Sequence, residues 1–211
     1  MRNYKAYFFL LLALFISLNL ACDEKRVTDN TPEVKAYIDE LIKERKEKNY
    51  SLQFDLNSPF NRDTTAKFKP LRYYDPDMDF IFKSRLIRYN VQDTVSILGT
   101  KGETRPAILI GFLELKKDGK VYKINVYKSF SRTGEPYYSI WFTDRTTGKE
   151  TYGVGRYLDF ELNDDPEFIY TIDFNKAYNP YCAYSSLFTC PIPRVEDYID
   201  MEIEAGEKNF H

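Results

Sequence analysis

Leu113-Glu114-Leu115-Lys116-Lys117-Asp118-Gly119-Lys120-Val121-Tyr122-Lys123-Ile124-Asn125-Val126 decides the fold. Asp118-Gly119 is a strong two-residue hairpin signal, because both central residues of the favoured turn need positive φ. Folding the chain about that pair sets Leu115 opposite Tyr122 and Leu113 opposite Ile124 on one side. The other side then sets Glu114 across from Lys123, an attractive cross-strand pair. Turn chemistry, apolar alternation and charge pairing agree, so the spacing predicts an antiparallel hairpin. Leu113, Leu115, Tyr122, Ile124 and Val126 are its buried face.

Strand patterns continue on both sides. Phe80–Tyr89 and Thr94–Leu98 precede the hairpin, the latter closed by Gly99 and Gly102. Tyr138–Phe142, Arg156–Leu162, Phe168–Phe174 and Tyr198–Glu204 follow it. No strand–helix–strand rhythm appears, so the sheet is expected to be mainly antiparallel. Upstream, Thr31-Pro32-Glu33 is a helix start, with a hydroxyl cap, proline at the first position and an acid in the first turn. Val34, Ile38, Leu41 and Ile42 share a face, and the helix is expected over 33–48, ending near Asn49. Asp39 with Lys43 and Glu44 with Lys48 make acid-before-base pairs four apart. The fold class is therefore mainly β (α+β), an antiparallel sheet forming a roll, barrel or sandwich, with one N-terminal helix packed on it.

The N-terminus reads as a targeting segment. Arg2 and Lys5 precede an apolar run over Ala6–Leu18 that is too short to span a membrane. Asn19-Leu20-Ala21-Cys22 resembles the lipobox of bacterial lipoproteins, with Asn19 where an aliphatic residue is usual. Two readings stand: lipidation of Cys22, or ordinary signal cleavage. Either places the mature chain outside the cytoplasm, in the cell envelope. The expected division is a signal peptide over 1–21, a lipidated cysteine and tether over 22–31, and a single domain over 32–211. The expected partner is the membrane, through Cys22.

Removing residues 1–21 takes away Arg2 and Lys5 and leaves 28 basic against 32 acidic residues. That balance argues against nucleic acid, since phosphate binding needs a basic footprint. The 18 Tyr and 16 Phe supply ample surface for a core.

Catalytic signals are sparse. The one histidine is the last residue, His211, and no Cys-x-x-Cys pair exists, so neither a metal site nor a histidine-based triad is expected. No cofactor motif is present. Gly153-Val154-Gly155-Arg156 leads into a strand, whereas phosphate cradles open helices. It reads either as a tight turn or as a glycine backbone and an arginine fork holding an anion. Cys182 and Cys190, eight apart, read either as a disulfide or as two buried thiols.

Several blocks carry a family resemblance. Thr147-Gly148-Lys149-Glu150-Thr151-Tyr152-Gly153-Val154-Gly155-Arg156, Asp173-Phe174-Asn175-Lys176-Ala177-Tyr178-Asn179-Pro180, Cys190-Pro191-Ile192-Pro193 and Ala205-Gly206-Glu207-Lys208 resemble DUF1684, a family of uncharacterised bacterial and archaeal proteins. The resemblance runs roughly over residues 34–208. Arg194 and Asp197 stand near places where the family pattern has proline and asparagine. It implies no reaction, but marks the first two blocks as a signature. Members without signal peptides carry the same cysteine pair, which favours reduced thiols.

Three functions follow. The first is a pocket for a small, possibly anionic, ligand built from Glu150, Thr151, Tyr152, Gly153, Gly155, Arg156, Asp173, Asn175, Tyr178, Asn179 and Glu207, with Arg156 as the fork. The second is a hydrolase-like enzyme with Asp144, Glu150 or Asp173 as general base. The third is a structural or interaction protein whose polar signature is a buried network. The Thr151–Tyr157 and Asp173–Tyr184 stretches are expected side by side, with Arg156 paired to Asp173, Glu150 or Glu207, in that order of preference.

Overall fold

The computed structural model describes residues 31–131 and 133–211. The leader, Cys22 and the tether lie outside the described residues. The sheets and the sites lie in the compact unit 38–211. No helix among the described residues is long and apolar enough to cross a membrane.

Helix α1 runs over Pro32–Phe54, six residues beyond the expected end. Nothing over 49–54 breaks it: Leu52 and Gln53 are good helix formers, and Leu52 gains by burial. The inward stripe runs through buried Leu41 and Leu52 with half-buried Arg45 and Lys48 between them. Ile42, expected on that face, is exposed. The expected pairs within the helix also give way. Glu44 bonds Lys176, Lys48 bonds Glu207, and Lys43 turns to Glu40. Tertiary partners win here because a helical i,i+4 pair contributes only about 0.3–0.5 kcal/mol.

A short helix α2, Pro59–Arg62, is capped by Ser58, whose hydroxyl accepts from Asn61 N–H. Strands β1 (Ile81–Arg85), β2 (Ile87–Arg88) and β3 (Thr94–Leu98) follow. The expected single strand over 80–89 is broken at Leu86, and its two parts join different sheets. The hairpin is β4 (Thr104–Lys117) and β5 (Lys120–Phe130). Asp118 and Gly119 both have positive φ, 51° and 72°, and the register pairs Leu113 with Ile124, Glu114 with Lys123 and Leu115 with Tyr122. Leu113, Leu115, Ile124 and Val126 are fully buried, with Tyr122 packed beside them.

Strands β6 (Pro136–Asp144), β7 (Arg156–Phe160), β8 (Ile169–Asp173) and β9 (Tyr198–Ile199) complete the set. One sheet runs β2-β4-β5-β6-β7, with β3 beside β4 and β9 beside β6; β1 and β8 make a second. All pairings are antiparallel except β6 with β9. Most of the expected strand over 198–204 is extended loop, because beyond Ile199 its backbone and side chains serve other partners. Its Met201 carbonyl accepts from Arg145 N–H, and its Ile203 carbonyl accepts from Arg156.

Alternation along β5, β6 and β7 gives the large sheet two buried faces. Leu113, Leu115, Ile124, Val126, Ile140, Phe142 and Leu158 pack against Phe82, Tyr170 and Ile172 of the small sheet. Tyr127, Trp141 and Tyr157 point the opposite way and are covered by the C-terminal loop with Cys190. No closed barrel forms. Helix α1 packs on this body through Leu52, which clusters with Phe60, Leu71, Tyr184 and Phe210.

Candidate functional site

The signature residues divide into two places. The first is internal. Arg156 opens β7 and its guanidinium is fully buried. Its Nη2 donates to Asp144 Oδ2 at 2.6 Å and to Ile203 O at 2.9 Å. Its Nη1 donates to the Ala205 carbonyl and, at 3.4 Å, to Glu207 O. Asp144 Oδ1 accepts from Thr146 N–H and Thr146 O–H at 2.6 and 2.5 Å, and Thr151 O–H completes the chain at 2.9 Å. Asp144, not Asp173, Glu150 or Glu207, is thus the partner of Arg156. The correction has a geometric cause: Arg156 pairs with Phe142 across β6–β7, two residues from Asp144.

The turn between those strands carries the rest of the block. Gly148 N–H donates to Thr151 O, and Gly155 N–H to Tyr152 O. Gly155 has φ +113°, and a Cβ there would lie 2.6 Å from Phe142 O. Glycine is needed at 155 for close strand packing. Glu150 and Gly153 are exposed on this turn, and Thr151 is buried beneath it. The Glu150, Thr151, Gly153, Gly155 and Arg156 group therefore forms a closed turn and does not line the cleft described next.

The second place is open. The Thr151–Tyr157 and Asp173–Tyr184 stretches touch where Tyr157 and Tyr178 exchange backbone hydrogen bonds. Tyr152 O–H also donates to Cys182 O at 3.3 Å. Beside this contact, α1 and the Asn175–Tyr181 loop enclose a cavity of about 300 Å³. Arg45, Lys48, Tyr73, Asp159, Tyr178 and Asn179 are among its lining residues.

Glu207 lies under the cleft and is completely buried. Its Oε1 accepts from Asn179 Nδ2 at 2.8 Å and from the Tyr184 hydroxyl. Its Oε2 accepts from Lys48 Nζ at 3.0 Å. Lys48 also lies 4.8 Å from the Tyr178 ring centroid, and Arg45 stacks 4.4 Å over Tyr73. Arg45 donates to Tyr74 O at 2.9 Å and Asn175 O at 3.2 Å. Asn175 is held by a reciprocal pair of bonds with the Asp77 backbone, and Asp173 caps the same turn through Asn175 N–H at 3.0 Å. Tyr178 O–H donates to Asp159 at 2.7 Å, and burial pushes its phenol well above the usual range. Two polar atoms of the lining residues, Tyr73 Oη and Asn179 Oδ1, are buried with no hydrogen-bond partner among the described residues.

Of the sequence-derived set, Asn175, Tyr178 and Asn179 line the cleft, and Glu207 supports it. Asp173 caps the turn that carries Asn175 and is not among the lining residues. Arg45, Lys48 and Tyr73 were missed. The signal for the first two was available: the helical stripe from Leu41 to Leu52 passes through both. The general-base candidates are scattered. Asp144 is committed to Arg156, Glu150 is exposed on the turn, and Asp173 caps a backbone turn. Cys182 and Cys190 are free thiols, not joined as a disulfide. Among the described residues no group of three or more His, Cys, Asp or Glu is placed to hold a metal ion.

Fold and site together define a mainly β domain with a helix-covered polar cleft. The DUF1684 family model, described as a protein of unknown function, matches residues 66–208, and the chain belongs to that family. The match starts after α1, so Arg45 and Lys48 lie outside it. A solution NMR structure of an uncharacterized protein from Haloarcula marismortui is similar, with 28% identity and a TM-score of 0.60. The similarity covers 83% of this chain and 96% of that one. No curated protein matches the chain.

Proposed function

We propose that the protein is a lipid-tethered domain of the cell envelope that binds a small anion in the cleft between α1 and the Asn175–Tyr181 loop. The observation that carries the ligand reading is the pair of unpartnered atoms in the cleft's lining residues, Tyr73 Oη and Asn179 Oδ1. A buried polar group without a partner costs about 1–3 kcal/mol. A ligand that accepts from Tyr73 and donates to Asn179 recovers that cost. Arg45, Lys48 and Lys176 supply positive charge, and Glu44 and Asp159 lie within reach of a ligand amine or hydroxyl. A hydroxy or amino carboxylate meets all these requirements at the volume available. The anion-binding role first read at Arg156 passes to the cations of this cleft, Arg45 and Lys48.

A thermal-shift screen of hydroxy and amino carboxylates, followed by calorimetry, tests this reading. Tyr73→Phe is expected to weaken the best hit by about tenfold, the loss of one buried hydrogen bond. The same change should leave the melting temperature of the unliganded domain unchanged or raised, since the hydroxyl has no partner among the described residues. A variant that melts lower while binding normally would assign Tyr73 a structural role and end the proposal.

The anchoring reading rests on Arg2 and Lys5, the apolar run and Ala21-Cys22. Cys22→Ser is expected to move the domain from the membrane fraction to the soluble one. Unchanged membrane association in that variant contradicts lipidation at Cys22.

A further inference from the structure

The two free cysteines are built into one hydrogen-bonded group outside the cleft. Cys182 is half-buried in the short 3-10 turn Tyr181–Ala183, and Cys190 is buried on the covered face of the large sheet. Cys182 N–H donates to Cys190 Sγ at 3.4 Å. Tyr152 O–H reaches Cys182 Sγ at 3.7 Å. Thr100 Oγ1 accepts from Cys190 N–H at 3.2 Å. The Cys182 sulfur thus lies beside the Tyr152 hydroxyl, with Cys190 and Thr100 adjoining it.

We propose that Cys182 and Cys190 are a redox-active dithiol that reduces a small hydroperoxide, with Cys182 as the attacking sulfur and Cys190 as the resolving one. The roles follow from the geometry. Cys182 is the more accessible thiol and the one that the Tyr152 hydroxyl reaches. The Cys190 thiol bond chiefly, with help from Tyr152 and Thr100, holds the Cys182 pKa down at about 7. The same bond to Cys182, together with burial, pushes the Cys190 thiol up. One thiolate and one thiol side by side make the arrangement that peroxide chemistry needs. The other titratable or charged groups around the pair are Tyr157 and Arg105. Half-burial favours a hydroperoxide over a protein disulfide, whose sulfur would have to approach in line with the bond being broken.

The chemistry balances in two steps. The Cys182 thiolate attacks one peroxide oxygen; an S–O bond forms, the O–O bond breaks, and the departing oxygen takes a proton to leave as water or an alcohol. Cys182 is then a sulfenic acid. Cys190, giving up its proton, attacks that sulfur; an S–S bond forms, the S–O bond breaks, and water leaves. Two thiols and one hydroperoxide become one disulfide, one alcohol or water, and one further water. An added dithiol such as dithiothreitol returns the pair to its starting state.

The full chain carrying Cys22→Ser leaves Cys182 and Cys190 as its two thiols, and hydrogen peroxide is the probe. Under single-turnover conditions, intact mass should show loss of two hydrogens within one chain. The rate at pH 7 should exceed that of free cysteine by about tenfold, the ratio of thiolate fractions. It should fall as pH drops through about 7, because protonation removes the attacking thiolate. Cys190→Ser should stop at a Cys182 sulfenic acid that dimedone traps, and Cys182→Ser should react slowly and form no adduct. Tyr152→Phe should slow the first step and still yield the disulfide. A rate equal to that of free cysteine, or dimedone labelling spread equally over both single variants, overturns the proposal.

Discussion

Arg156→Ala will lower the stability of the domain by about 3–5 kcal/mol, the usual cost of removing one partner from a buried ion pair. Denaturant unfolding measures it. The change strands Asp144, whose Oδ2 accepts the 2.6 Å bond from Arg156 in a site closed to solvent. It also releases the carbonyls of Ile203, Ala205 and Glu207, which one guanidinium gathers together. Asp144→Ala should cost a comparable amount. The double variant should cost well under the sum, because each single change already leaves the other charge unpaired. A loss below about 1 kcal/mol for Arg156→Ala would falsify the clamp, since that is the scale of an exposed pair. Ligand affinity, read in the same variant under conditions where it stays folded, should change little, because Arg156 does not line the cleft.

The second large effect is expected at Glu207. Glu207→Ala removes the acceptor for Lys48 and for the buried Asn179 and Tyr184. The expected loss is about 3 kcal/mol or more, because donors buried without a partner lose their hydration and gain nothing in return. Glu207→Gln should cost less, since it keeps an acceptor for one of the donors. Adding Lys48→Met to Glu207→Ala should cost little further, the stranded ammonium being gone. Additive losses in that double variant would show that Lys48 acts elsewhere. The preceding residue constrains the same place: Gly206 has φ +76°, and a Cβ there would lie 2.6 Å from both Ala177 O and Phe174 O. The C-terminal segment is thus held on one side by Arg156 through its carbonyls and on the other by Glu207 through its side chain. These contacts give physical roles to Gly155-Arg156 and to Ala205-Gly206-Glu207, two of the stretches that carry the family resemblance.

What was legible in the amino-acid order was what local rules govern. Asp118-Gly119 and the alternation around it determine the central hairpin, its register and its buried face, because turn chemistry and period-two patterning act over a few residues. The helix start at Thr31-Pro32-Glu33 is legible for the same reason, and so is the mainly antiparallel character of the sheets. The helix end was not, because it depends on Leu52 finding Tyr184 and Phe210, both distant in the chain. Tertiary structure alone decided how the charges pair. Arg156 could have met any of several acids, and took Asp144 because β6 and β7 pair in the register that sets Phe142 opposite it. Lys48 left Glu44 for Glu207, 159 positions away, since a buried carboxylate needs a cation more than an exposed helix pair does. The cleft itself belongs to this second kind of information: its lining comes from α1, from the loop after β8 and from Tyr73 and Asp159 elsewhere in the chain, and no local pattern links them.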